Sequence, residues 1–86
     1  MVMRVAHYRS AVSGLLKEAR IKAGLKQSEL ADLLGVPQQF VSKYEIGERR
    51  LDVGEVLEIC TVLGLSFVEL AIALTRYQAG SDLGLE

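Results

Sequence analysis

Hydrophobic positions along the chain fall into blocks with a helical period, and glycines at 24, 35, 47 and 64 separate the blocks. Val12, Leu15, Leu16, Ala19 and Ala23 keep to one face of a helix. This predicts an amphipathic helix that stops at Gly24, with Leu25 as the apolar residue after the cap. A second block holds Leu30, Ala31, Leu33 and Leu34 and ends at Gly35. The third starts near Pro37, whose fixed φ suits a first helical turn. It carries Phe40, Val41 and Tyr44 and ends before Gly47. In the fourth, Asp52 is placed to cap and Glu55 stands at the reciprocal position, with Val56, Ile59, Cys60 and Leu63 as the apolar face. The fifth opens on a capping box, Ser66-Phe67-Val68-Glu69, and continues through Leu70, Ala71 and Leu74 to about Ala79. No segment alternates with period two for long, and there is neither an internal repeat nor a low-complexity run. The pattern predicts an all-α bundle of five helices over residues 9–79, with 1–8 and 80–86 as loose tails.

Composition narrows the function classes. With 86 residues, the chain makes one small domain without room for a large active-site cleft. Hydrophobic residues at 50% and charged residues at 24% predict folding rather than disorder. A single cysteine excludes an internal disulfide and a cysteine zinc cluster. Cys60, on an apolar stripe, reads as a small buried hydrophobe, and His7 in the expected tail has no partner for a metal. Neither a metal nor a cofactor is expected. Ser10, Ser13 and Ser28 lack any base-and-orienter arrangement, so no enzyme is expected. The opening residues lack the apolar core of a signal peptide, and no apolar run approaches the roughly 18 residues of a membrane span. The expected location is cytoplasmic.

A net charge of −1 hides a polarised molecule. Residues 1–50 hold nine Lys or Arg against five acids, whereas residues 51–86 hold one against six. The basic half contains the two shortest blocks. Two short helices joined by a glycine turn over residues 27–46 suggest a helix-turn-helix unit. The third block presents Gln38, Gln39, Ser42 and Lys43 on adjoining stripes with no acid among them. Glutamine reads adenine bidentately in a major groove, lysine contacts guanine or phosphate, and serine serves either role. The same pattern also suits a plain solvated face.

The stretch from Leu16-Lys17-Glu18-Ala19-Arg20 through Gly24-Leu25-Lys26-Gln27-Ser28-Glu29-Leu30-Ala31 to Leu34-Gly35-Val36-Pro37-Gln38-Gln39-Phe40-Val41-Ser42-Lys43-Tyr44-Glu45-Ile46-Gly47-Glu48-Arg49-Arg50 resembles the Cro and phage-repressor type of helix-turn-helix regulator, the xenobiotic-response-element family. The resemblance covers roughly residues 10–74 and rests on Gln27, Gly35 and Tyr44-Glu45-x-Gly47 falling in register. It implies a five-helix, lambda-repressor-like domain that binds double-stranded DNA and regulates transcription, as a repressor and as a homodimer on a palindromic operator. It further implies base contacts from Gln38, Gln39, Ser42 and Lys43, and phosphate contacts from Gln27, Lys26, Arg49 and Arg50. Arg20 and Glu45 match a family ion pair between helix one and the end of helix three. Two departures stand out. Lys26 replaces a Thr or Ser cap and cannot accept an N–H bond, and Pro37 replaces the cap of helix three.

Helix five carries a second signal. Phe67, Leu70, Ala71 and Leu74 make one apolar face, while Val68, Ile72 and Ala79 lie on another beside Thr75. A helix apolar on two sides is usually buried on two sides. Val68, Ile72, Thr75 and Ala79 are therefore expected to meet the same helix of a second copy. The alternative is a protein-interaction module, antitoxin-like or adaptor, that uses this surface for a different partner. No small-molecule effector is expected.

Overall fold

The structure is a computed structural model that describes the backbone of residues 4–85 and the side chains of residues 4–76. Its elements are α1 (Val5–Lys22), α2 (Gln27–Leu34), α3 (Gln38–Glu45), α4 (Val53–Leu63) and α5 (Phe67–Leu85), with no strand among the described residues. The all-α expectation holds, and the inner helix boundaries lie within a residue or two of those read from the sequence.

Where they are described, at residues 4–8 and 80–85, the expected tails differ from the structure; residues 1–3 and 86 lie outside the described residues. Val5 to Tyr8 form the first turn of α1, so His7 is half-buried on a helix, its ring edge-on to Tyr8 at 6.0 Å between centroids. The reason is legible afterwards. Val5, Tyr8 and Val12 extend the apolar stripe of α1 by i, i+3 and i+7 toward the N-terminus. At the other end α5 continues to Leu85, since neither a proline nor a left-handed glycine interrupts it after Ala79.

Glycine punctuation sets the path between helices. Gly35 closes α2 at φ 72°, where the left-handed backbone lets its N–H and that of Val36 satisfy the carbonyls of Asp32 and Ala31. Gly64 closes α4 in the same way at φ 71°. Starts are capped by side chains. Asp52 Oδ1 accepts from the Glu55 N–H at 2.8 Å, and Glu55 Oε1 accepts from the Asp52 N–H at 2.9 Å. Ser66 Oγ accepts from the Glu69 N–H at 3.3 Å. At α2 only the reciprocal half of a box is chemically available. Lys26 has no acceptor, but its N–H donates to Glu29 Oε1 at 2.8 Å. The departure at Lys26 thus removes one bond of two.

Leu16 of α1, Leu30 and Ala31 of α2, Val41 and Tyr44 of α3, Val56, Ile59 and Cys60 of α4 and Leu70 of α5 form one core. Each helix, α5 included, turns one face toward this core. The α2–α3 pair packs most closely, and α1 braces it from behind. Helices α4 and α5 are bent by 112° relative to one another, and no single helix is long and apolar enough to cross a membrane.

Candidate nucleic-acid interface

Eight residues make α3 about 12 Å long, a little over two turns. At about 100° per residue, Val41 and Tyr44 point one way while Gln38, Gln39, Ser42 and Lys43 fan around the opposite direction. Burial agrees: Val41 and Tyr44 are fully buried, Gln38, Gln39 and Lys43 are exposed, and Ser42 is half-buried. No other part of the described fold covers the three exposed side chains. Ser42 donates its hydroxyl hydrogen to the Gln39 carbonyl at 3.3 Å, which leaves its oxygen as an acceptor. Pro37 precedes the helix at φ −65°, ψ 152° and sets its direction without a side-chain cap.

What holds that face in place is a buried charge network. Glu45 ends α3 with its side chain 1% exposed, and Arg20 of α1 meets it at 10% exposure. Arg20 Nε donates to Glu45 Oε2 at 2.7 Å and Nη2 to Oε1 at 3.1 Å. The third guanidinium nitrogen, Nη1, donates to the Leu25 carbonyl at 2.6 Å. Gln27 at the start of α2 completes the set, its Nε2 donating to Glu45 Oε1 at 2.9 Å. One carboxylate thus ties three helices together. The bond to Glu45 also holds the Arg20 guanidinium above its ordinary pKa. Gln27, expected at a phosphate, is half-buried and spends one amide hydrogen inside the protein, leaving the second for an outside acceptor.

The two arginines after α3 have different surroundings. Arg49 is engaged: Nη1 and Nη2 reach Glu55 Oε1 and Oε2 at 3.1 and 2.8 Å, and Nη1 also donates to the Arg50 carbonyl at 2.8 Å. Its guanidinium carbon sits 4.3 Å from the centroid of the Phe40 ring. Beside it, the Glu55 carboxyl is held below the usual carboxylate range, first by this bond and then by the Asp52 N–H. The phosphate contact expected at Arg49 would have to break its bond to Glu55. Its fork is filled by Glu55, and its stacking on Phe40 splints the loop to α3. Arg50 is exposed and has no ion pair among the described residues. Lys26 is exposed at the α2 start, where the helix dipole also favours an anion. Glu55 and Phe40 are the residues that sequence reasoning missed. Sequence alone gives Glu55 only as a cap, and nothing in the period marks it as the partner of Arg49.

Tyr44 packs, as expected, edge-on to Phe40 at 5.8 Å between ring centroids. Burial pushes its phenol pKa up, and the hydroxyl oxygen has no hydrogen-bond partner among the described residues. Tyr44→Phe should therefore be neutral or stabilising, by about 1 kcal/mol at most, in chemical denaturation. A clear loss would show that the hydroxyl is satisfied in solution.

Residues 16–70 match the helix-turn-helix family model HTH_3. An XRE-family like protein from Pseudomonas syringae pv. tomato str. DC3000 superposes at a TM-score of 0.77 with 45% identity, covering 83% of this chain and 87% of that one. An SPbeta prophage-derived HTH-type transcriptional regulator of Bacillus subtilis (strain 168) is 37% identical over 51 residues, which are 59% of this chain and 47% of that protein. An HTH-type transcriptional regulator of Sinorhizobium fredii (strain NBRC 101917 / NGR234) is 33% identical over 60 residues, 70% of this chain and 79% of that one. The aligned part thus spans about half the length of the Bacillus relative. The matched segment runs from Leu16 through the Arg20–Glu45 network and the outward amides of α3 to Leu70, and it makes this chain a member of the XRE-type helix-turn-helix family of DNA-binding transcription regulators.

Proposed function

We propose that the chain is a sequence-specific repressor of transcription that binds a palindromic operator as a homodimer in the cytoplasm. The observation that carries this reading is the bare polar face of α3, which is short enough to lie in a major groove about 12 Å wide. Gln38 and Gln39 read bases at its first turn, and Ser42 and Lys43 follow one turn later. Lys26, the remaining amide hydrogen of Gln27, and Arg50 contact phosphates and set the register. Supporting the dimer, α5 leaves Val68 66% and Ile72 47% exposed, beside an exposed Thr75. Thr75 Oγ1 donates to the Ala71 carbonyl, so it meets an apolar partner without an unsatisfied hydrogen. The fourth residue expected there, Ala79, lies outside the described side chains. Two copies would place their α3 helices about 34 Å apart, one turn of the duplex.

Selection of bound sequences from random duplex DNA tests this directly. An inverted repeat with half-sites one turn apart is expected, and recovery of no sequence preference would refute base reading. The exposed α5 face also favours a second reading, a module that binds a different protein. An obligate foreign partner on purification, with no self-association by sedimentation, would favour that reading instead.

The two loop arginines give a separate expected result. Arg50→Ala should weaken cognate and random DNA alike and reduce the slope of log affinity against log salt by about 0.9. Arg49→Ala should leave that slope nearly unchanged, since its charge is already paired with Glu55. Titrations across a salt series distinguish the two, and equal slope changes would show that Arg49 leaves Glu55 for a phosphate.

A further inference from the structure

A groove of about 440 Å³ opens between the first half of α1, the loop after α3, the start of α4 and the first half of α5. Val12, Val56, Leu70 and Leu74 line it, with Arg9 and Arg50 as its only charged lining residues among those described. Neither arginine has an ion pair among the described residues, whereas Arg20 and Arg49 are both taken up by carboxylates. The groove therefore joins apolar walls to two uncompensated cations. Its volume lies in the range of small-molecule sites, which combine apolar walls with a few convergent polar groups.

We propose that this groove binds a small amphipathic carboxylate, its apolar body against Val12, Leu70 and Leu74 and its head on Arg9 and Arg50. Charge complementarity selects the occupant, since among the described residues the lining offers cations and no Asp or Glu. Arg50 is also the phosphate-contacting residue of the loop, so an occupied groove competes with the DNA backbone for it. That second step rests on the function proposed above, whereas binding in the groove does not.

Decanoate below its micelle concentration is the probe and decanol the uncharged control, followed by amide NMR on the full chain. Decanoate should shift the amides of Arg9, Val12, Ser13 and Leu51 saturably, and decanol should bind about tenfold more weakly. The double variant Arg9→Gln/Arg50→Gln alters one half-buried and one exposed side chain, and its fold is checked in the same spectra. It should reduce decanoate to the level of decanol. Absence of a saturable shift would overturn the proposal, as would equal binding of the alcohol. So would groove amides that move with protein concentration alone, because a second copy would then occupy the site. A separate arm measures affinity for the selected operator. Saturating decanoate should lower it about tenfold in the native chain and leave Arg50→Gln unaffected. Decanoate binding without that change would retain the site and overturn the competition. A chain that takes decanoate but binds no DNA would refute the proposed function and leave the groove assignment standing.

Discussion

Glu45→Ala is expected to destabilise the domain by about 3–5 kcal/mol, because it strands the Arg20 guanidinium at a site with little access to water. Arg20 is 10% exposed at its side chain, and two of its nitrogens donate to the carboxylate that the substitution removes. The Leu25 carbonyl stays as an acceptor but carries no full charge. Gln27 loses its internal acceptor as well. Small domains have total stabilities near the low end of about 5–15 kcal/mol, so this one change should leave much of the population unfolded at physiological temperature. Thermal denaturation followed by circular dichroism should show a fall in Tm of more than about 12 °C. The informative companion is Arg20→Met/Glu45→Leu, which removes both charges. It should recover most of the stability, because a buried pair adds little over apolar groups of similar volume. The double variant should still bind DNA poorly, since nothing then fixes the angle of α3 against α1. A loss below about 1 kcal/mol for Glu45→Ala would mean that the network is solvated and does not orient the helix.

Gln38→Ala and Gln39→Ala should each lose about 1–3 kcal/mol on the selected operator, and much less on random duplex. Both side chains are exposed and neither touches the core, so the domain should fold as before. The loss is therefore a loss of discrimination. It should appear as a specificity ratio reduced by about one order of magnitude at fixed salt, with an unchanged salt slope. The substituted positions should also relax the preference at particular base pairs in a repeated selection. Equal losses on cognate and random DNA would refute base reading by these amides.

The helical elements were legible because each packs one apolar stripe, and because Gly24, Gly35, Gly47 and Gly64 sit at positive φ where helices end. The start of α1 was less legible. Val5 and Tyr8 belong to the stripe, but Arg4, His7 and Arg9 interleave with them and lower the local contrast. The outward face of α3 could be read from residue type and angle alone. The Arg20–Glu45 pair was reachable only through family resemblance, since 25 residues separate the partners and local periodicity carries no information at that range. The Arg49–Glu55 fork was not legible for a related reason. Six residues span a loop there, and only the folded path of 46–52 decides whether the cation faces outward or folds back on α4. The groove beneath Arg9 and Arg50 needed three helices and a loop brought together in space, which no single window of sequence displays.

The Gln27–Glu45–Arg20 arrangement has a bearing on engineering. The unit over residues 27–46 looks like a portable cassette, yet its last acidic side chain is neutralised by a residue that lies outside it, on α1. Transplanted alone into a foreign scaffold, it would carry an orphan anion into the recipient's interior. A workable chimera must import the matching guanidinium from the preceding helix, or redesign the donor residue before the swap.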